Sequence, residues 1–395
     1  MLAPERTDWI CERARAAGFD LCGVVRVSAD DRFPELERLP EWLDRGYAGE
    51  MSYLRDPRRA DPRTILDGAR SLIVVAINYN SAPRASDFPF ASAGGSPRGW
   101  ISRYAWGDDY HGVIQQKLQS LIGEMRAEFT GEFEARSWTD TGPIIERVAA
   151  KYAGLGWLAK NTFLINSKLG SWLFLGVILT TLDLSPSAPA GADPPADRCG
   201  SCTRCLDACP TDAFPAPYVM DSRKCISYLT IELRGAIPIE LRAPMGNAVI
   251  GCDICQDVCP WNRKAPVTPL PSFQPRKIAT GNGEKSLAAP ELEWLASLSQ
   301  QEFSAIFRGS AVKRAKWRGL LRNSCVALGN SGLKRGGEAH ARAVKLLETL
   351  SASADTVISE HARWALDRLS RSETPDSTPA RDNSRVFGDT NSKTQ

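Results

Sequence analysis

The chain has 395 residues, 43% of them apolar and 24% charged, with a formal net charge of +3, an ordinary globular mixture with length for two or three domains. That balance gives no reason to expect a polyanion partner for the molecule as a whole, and the longest apolar stretch, GSWLFLGVILTTLDL, is about fifteen residues against the roughly 20 a bilayer crossing takes. The start, MLAPERTDWICERARAAGFD, carries Pro, Glu and Asp where a secretory signal needs an unbroken apolar run and lacks the paired arginines of a twin-arginine signal, so the expectation is a cytoplasmic protein with no membrane association.

Residues 8 to 22 read as an amphipathic helix closed at Gly18, and RSLIVVAIN, 70 to 78, is a β-branched run of the kind buried on both faces of a sheet. The opening therefore reads as α/β. YHGVIQQKLQSLIGEMRAEF, 110 to 129, has apolar positions three and four apart and reads as a helix; GPIIERVAAKYAGLG, 142 to 156, reads as another, closed by glycine. WLFLGVILTTL supplies a further central strand. SPSAPAGADPPAD, 185 to 197, is a linker or surface loop. The cysteine-rich region that follows is short of regular structure. From about 270, AVKRAKWRGLLRNSCVALGNSG and HARAVKLLETLSASADTVISEHARWALDRL read as helical throughout, and CVALG is echoed by RWALD 38 residues on. That interval is near the period of stacked helical-pair repeats, although two copies also suit a plain bundle. The polar end from about 371 has few apolar anchors and is expected to be disordered.

Eight of the eleven cysteines lie between 199 and 259. CGSCTRCLDACP is C-x2-C-x2-C-x3-C-P, the spacing with which one loop wraps three thiolates around a [4Fe-4S] cube and sends the fourth to a neighbouring cube. Soft anionic thiolates both bind iron and tolerate its two oxidation states. The spacing assigns Cys199, Cys202 and Cys205 to a first cluster and Cys209 to a second. In VIGCDICQDVCP the place of a first cysteine is taken by Val249, which leaves Cys252, Cys255 and Cys259. Cys225, in RKCISYLT, makes up the count: Cys209, Cys225, Cys252 and Cys255 on cluster 2, with Cys259 returning to cluster 1. One or two zinc sites are the alternative, since C-x2-C pairs also suit tetrahedral zinc. Cys11, Cys22 and Cys325 stand singly among apolar neighbours and read as buried inert thiols.

The first 190 residues contain neither G-x-G-x-x-G after a strand nor G-x-x-x-x-G-K-[ST], so no dinucleotide or nucleotide site is announced. However, RADPRTILDGARSLIVVAINY, ISRYAWGDDYH, DTGPIIERVAAKYAGLGWLAKNTFLIN, GSWLFLGVILT and CISYLTIELRGAIPIELR, together with both cysteine runs, closely resemble the epoxyqueuosine reductase family over about residues 5 to 370. The resemblance implies an α+β multidomain protein: a cobalamin-binding α/β domain at 1–190, a ferredoxin-like domain with two [4Fe-4S] clusters at 191–270, helical HEAT-like repeats that bind tRNA at 271–370, and a disordered tail at 371–395. It implies reduction of epoxyqueuosine to queuosine at the wobble position of tRNAs with a GUN anticodon (Asp, Asn, His, Tyr), using cob(II)alamin fed through the clusters by a low-potential electron donor. A monomer is expected, since no surplus dimer helix is present.

Carried over position by position, the resemblance places the proton donor at Asp140 and cobalamin contacts at Arg59, Ser102, Asp140, Leu164, Leu175, Ser227, Cys255 and Gln256. At Ser102 a backbone contact is expected in place of side-chain chemistry. Glu146 and Lys160 orient either substrate or structure. Asp140 must stay protonated near neutral pH, and burial beside an apolar corrin pushes a carboxyl in that direction; read without the resemblance, Asp140 is a cap or turn residue. The D-x-H-x-x-G pattern of proteins that ligate cobalt through histidine fails in DYHGVI at Ile114, so no protein ligand to cobalt is expected. The tRNA base is expected to flip into a pocket between the α/β and cluster regions. From Arg308 to Gly337 eight basic residues occur without one acid. Lys313, Arg314, Lys316, Arg318 and Arg322 are the tRNA-phosphate candidates, with an ordinary solvated helix face as the plain reading and Trp317 as either a base-stacking or a core residue. The competing functions are a cobalamin and iron–sulfur reductive dehalogenase, a two-cluster ferredoxin-type electron carrier, and a nucleic-acid-binding iron–sulfur protein without redox chemistry.

Overall fold

The computed structural model describes residues 1–27, 33–82, 95–187, 195–281 and 283–371. The expected disordered tail lies outside the described residues, as does most of the proline-rich loop. Helix α1 (Ala3–Ala16) stops earlier than the sequence suggests. Gly18, at φ +88°, turns the chain into strand β1 (Leu21–Arg26), which the reading of a helix to residue 22 had missed. Strand β2 (Ser71–Asn78) is buried along its whole length. Helix α2 (Tyr110–Glu128), strand β3 (Ala135–Trp138), helix α3 (Glu146–Tyr152) and strand β4 (Leu173–Thr180) complete the first layer set.

The sheet runs β1-β2-β4-β3, and all three pairings are antiparallel. The α/β reading left strand direction open, and the structure makes it antiparallel. A continuous apolar run reports only that both faces are covered, and here they are. Ile73, Val75 and Ile77 point to one side, with Ile10 and Ala14 of α1 and Ile114, Leu118 and Leu121 of α2. Leu72, Val74 and Ala76 point to the other, with Val148 and Ala149 of α3, Leu164 and Leu175.

Residues 100–106 tie this unit to the rest in two ways. Trp100–Ile101 forms a short parallel pair with Ala248–Ile250, and Trp100, Ile101 and Trp106 pack into one core with helices α4 (Leu292–Ser297), α5 (Lys316–Gly329), α6 (Glu338–Ser351) and α7 (Thr356–Arg371). The two helical segments are not unbroken. Residues 311–315 form a 3-10 turn before α5, and the chain breaks between α6 and α7. The CVALG and RWALD echo marks where α5 meets α7: a Cβ on Gly329 would lie 2.8 Å from Trp364 and 3.0 Å from the backbone of Ala365.

Arg322 corrects the basic-face reading. It is 1% exposed, and its guanidinium donates to the carbonyls of Leu233 at 2.8 Å, Gly235 at 2.7 Å and Leu229. Asn323 beside it donates to Thr230 and Val249. The pair therefore fastens α5 to the segment after Cys225. Burial pushes the guanidinium down to about 10, which leaves it charged and carbonyl-bound at neutral pH. Arg322→Ala is expected to destabilise the fold by about 2–4 kcal/mol, because three buried acceptors lose a charged donor. Urea unfolding checks this.

Candidate active site and cluster cavities

The two cysteine runs take the same local form. Cys202 donates its amide to the Cys199 carbonyl, a one-turn helix (Arg204–Asp207) follows, and the Cys209 amide closes on Leu206 before Pro210. In the second run Gly251, at φ +69°, turns the chain into Cys252; the one-turn helix is Ile254–Asp257, and the Cys259 amide closes on Gln256 before Pro260. Cys225 caps the helix Ile226–Ile231, outside both runs. A Cβ on Gly251 would stand 2.5 Å from that of Ser102, so glycine is sterically required there.

The cysteines line two cavities. One, of about 230 Å³, is walled by Cys199, Cys202, Cys205 and Cys259 with Lys160 and Trp261. The other, of about 310 Å³, is walled by Cys209, Cys225, Cys252 and Cys255. The lining groups the thiols four and four, in the sets expected from the spacing of the runs together with the count that brought in Cys225. Among the described residues no group of three or more His, Cys, Asp or Glu converges as a single-ion site. One zinc needs ligands at about 2.3 Å from a common centre, whereas four thiols around a cavity leave the room a four-iron cube takes. Burial pushes the Cys252 and Cys255 thiols well up, and Cys205 to about 11, so loading iron releases protons. Asn161 lines both cavities and donates to the Cys255 carbonyl at 3.1 Å.

The larger cavity continues past the cysteines to Leu175, Phe174, Ser227 and Asp140. Asp140 sits at φ +59° in the turn between β3 and α3. That turn is fixed from behind: the Asp140 amide donates to Glu146 Oε1 at 2.6 Å. In front, the Tyr110 hydroxyl donates to Asp140 Oδ2 at 2.8 Å, and His111 Nε2 lies 3.4 Å from the same oxygen. The carboxylate is 65% exposed, but it faces a cavity walled by protein. Desolvation there pushes the carboxyl up; the His111 and Tyr110 contacts outweigh it and hold Asp140 below the usual aspartate range. Within the protein itself, then, burial is opposed at Asp140 by neighbours on α2. Burial, then the neighbouring Asp140 charge, pushes Glu146 well up instead.

Two curated relatives cover most of the chain. The epoxyqueuosine reductase of Pseudomonas aeruginosa is 39% identical over 375 residues, 93% of this chain and 94% of the relative. That of Gloeobacter violaceus is 44% identical over 328 residues, 82% of this chain and 96% of the relative. The chain belongs to the epoxyqueuosine reductase family. Its residues 59–141 match the family profile described as epoxyqueuosine reductase QueG, DUF1730, and 198–262 match the 4Fe-4S double cluster binding domain. A solved epoxyqueuosine reductase in complex with an epoxyqueuosine-modified tRNA-Tyr stem loop superposes with a TM-score of 0.79 at 30% identity, covering 92% of this chain and 90% of that one.

Of the contact positions inferred from the epoxyqueuosine reductase family, Asp140, Leu175, Ser227 and Cys255 share the larger cavity. The other four are not among its lining residues. Arg59 is buried and donates to the Tyr53 carbonyl. Ser102 gives its amide to Ile250 and its hydroxyl to Asp253, so its side chain is committed as well as its backbone. Leu164 is core, and Gln256 is buried against Ser171. Lys160 donates to the carbonyls of Gly200 and Cys202, which assigns it to holding the first cysteine loop. Tyr110, His111 and Arg147 were missed as site residues. In the sequence DYH stands out as part of ISRYAWGDDYH and as a failed cobalt-ligand pattern; its place at the start of α2 is what brings it to Asp140.

Proposed function

We propose that this chain reduces epoxyqueuosine to queuosine in the anticodon of tRNA, with cobalamin held in the larger cavity and two [4Fe-4S] clusters behind it. The observation that carries this reading is that Asp140 and the inner cysteine set open onto one cavity, which puts a proton source and an electron source within reach of one substrate. Removing the epoxide oxygen as water takes two electrons and two protons. Cys199, Cys202, Cys205 and Cys259 hold the outer cluster; Cys209, Cys225, Cys252 and Cys255 hold the inner one. The apolar wall around Leu175 and Phe174 fits a corrin face, with Ser227 and Cys255 beside it. When bound there, reduced cobalamin supplies the electrons that open the carbon–oxygen bond. Asp140 protonates the oxygen as it leaves, and the walls keep bulk water from competing for the electrons.

A base presented to this cavity must leave its stack, so the modified base is flipped. Exposed Lys313, in the 3-10 turn before α5, and exposed Lys316, the first residue of α5, are the phosphate contacts of this reading. Arg314 is paired with Glu232 and Arg318 with Asp355, so each carries less free charge than its place in the basic run suggests. Trp317 donates to the Leu298 carbonyl and packs into the helical core, which leaves base stacking to other residues. The reading further takes residues 1–190, 191–270 and 271–370 as cobalamin, cluster and HEAT-like tRNA-binding domains of a cytoplasmic monomer served by a low-potential donor.

Anaerobically purified protein is expected to show a corrinoid spectrum, to hold about eight irons, and to convert an epoxyqueuosine-bearing stem loop. Replacing Lys313 and Lys316 by alanine is expected to weaken stem-loop binding and to lower the salt dependence of its log affinity by about one for each phosphate no longer neutralised. Iron without corrinoid, or no conversion under strong reductant, overturns the reading.

A further inference from the structure

The His111 and Tyr110 contacts favour the carboxylate form of Asp140, yet the reaction proposed for it requires an acid. Its neighbour is built to resolve this. Asp109 caps α2 by accepting the His111 amide at 3.1 Å, and the same oxygen, Oδ1, stands 2.7 Å from His111 Nδ1. The imidazole is stacked on Tyr110 at 4.1 Å with the planes 28° apart, and Tyr110 is stacked on Phe174 at 4.2 Å and 5°. The ring is therefore clamped on its face and at one nitrogen. The other nitrogen, Nε2, is buried without a formed hydrogen bond and lies 3.4 Å from Asp140 Oδ2.

We propose that His111 is the proton store of this active site, acting through Asp140: the imidazolium held between Asp109 and Asp140 passes its Nε2 proton to the carboxylate, which becomes an acid only by receiving it. This rests on the role of Asp140 in the function proposed above. In the step, the Nε2–H bond breaks and an Oδ2–H bond forms. The imidazolium becomes neutral imidazole, its Nδ1–H still given to Asp109. The carboxylic acid then loses the proton to the departing epoxide oxygen, and water at the cavity mouth restores the imidazolium. Two passes supply both protons, and the two electrons come from the reductive chemistry of the family. His111 does not touch the substrate; it is a positioning residue for the proton.

The surroundings favour the charged ring. Burial alone pulls the His111 imidazole down, but Asp109 and Asp140 push it up to about 9. The other titratable groups around the couple are Tyr110 on the same helix, Glu146 and Arg147 on α3, Tyr104 before α2, and Tyr53 and Arg314, which feel the Asp140 charge from other segments. Arg276 acts from beyond Asp109, where it pairs with Asp108.

The chain has three histidines, so the imidazole of His111 can be assigned by substitution and followed by nitrogen NMR in the oxidised holoprotein. The expected result is a ring that stays protonated through neutrality with a midpoint near 9, and an Asp140→Asn variant whose midpoint is lower by at least about one pH unit. In the wild type kcat is expected to fall as pH rises through that midpoint. His111→Gln should lower kcat by about 10- to 100-fold and lose that alkaline limb, with KM for the stem loop unchanged. A His111 ring that titrates near its ordinary value and ignores Asp140→Asn overturns the proposal, as does His111→Gln with the parent rate and pH profile. The NMR arm needs no turnover, so it judges the proton couple even if the wild type fails to reduce the modified base.

Discussion

Asp140→Asn is expected to lower kcat by about 10²- to 10⁴-fold while the variant still binds the epoxyqueuosine stem loop. The amide fills the same volume in the turn and can still accept from Tyr110, so the wall of the cavity survives. What it cannot do is carry a proton to a leaving oxygen. The peptide N–H of residue 140 remains bound to Glu146 Oε1, and the turn keeps its φ of +59°, a conformation that Asn tolerates as readily as Asp. Single-turnover assays with the pre-reduced variant separate the proton defect from a defect in electron supply, since the metal centres should accept electrons at the parent rate. Parent-level turnover by this variant would remove Asp140 from the mechanism.

Cys225→Ala is expected to have the second large effect: iron falls from about eight to about four per chain and turnover drops to background, while the outer cluster remains. Cys225 is the one thiol of the larger cavity that neither run supplies, and on the proposed reading it is the fourth inner ligand. It stands at the start of the helix Ile226–Ile231, and its loss leaves Cys209, Cys252 and Cys255 as an incomplete set. The outer cavity contains none of these residues. Iron analysis together with electron paramagnetic resonance of the reduced protein reads the outcome. Cys325→Ala serves as the control, because Cys325 is buried in the helical core and should keep every iron. Full iron content in Cys225→Ala would break the ligand assignment.

Seven of the eight thiols were legible from the short spacing of the two runs, because cluster loops are local; Cys225 entered only by count, and the two cavities are lined by four thiols each. The buried strands were legible for a similar reason, since β-branched runs report burial directly. Their antiparallel order was not, because burial on both faces is silent on direction. Arg322 misled because a sequence shows charge without showing what a neighbouring segment presents to it; the carbonyls of Leu229, Leu233 and Gly235 lie about ninety residues away along the chain. The state of Asp140 was also out of reach. Burial was foreseeable, but the imidazole that outweighs it comes from a different helix and becomes a neighbour only once α2 and the β3–α3 turn are packed.

The Arg322 clamp has a mechanical meaning. Lys316 opens the same helix that Arg322 anchors to the stretch beginning at Cys225, so the surface proposed to grip RNA and the seat of the inner metal centre belong to a single stiff body. On the proposed reading, the reach from a docked phosphate to the reacting carbon would then be set when the chain folds. An anticodon loop landing in register would meet a centre already at working distance.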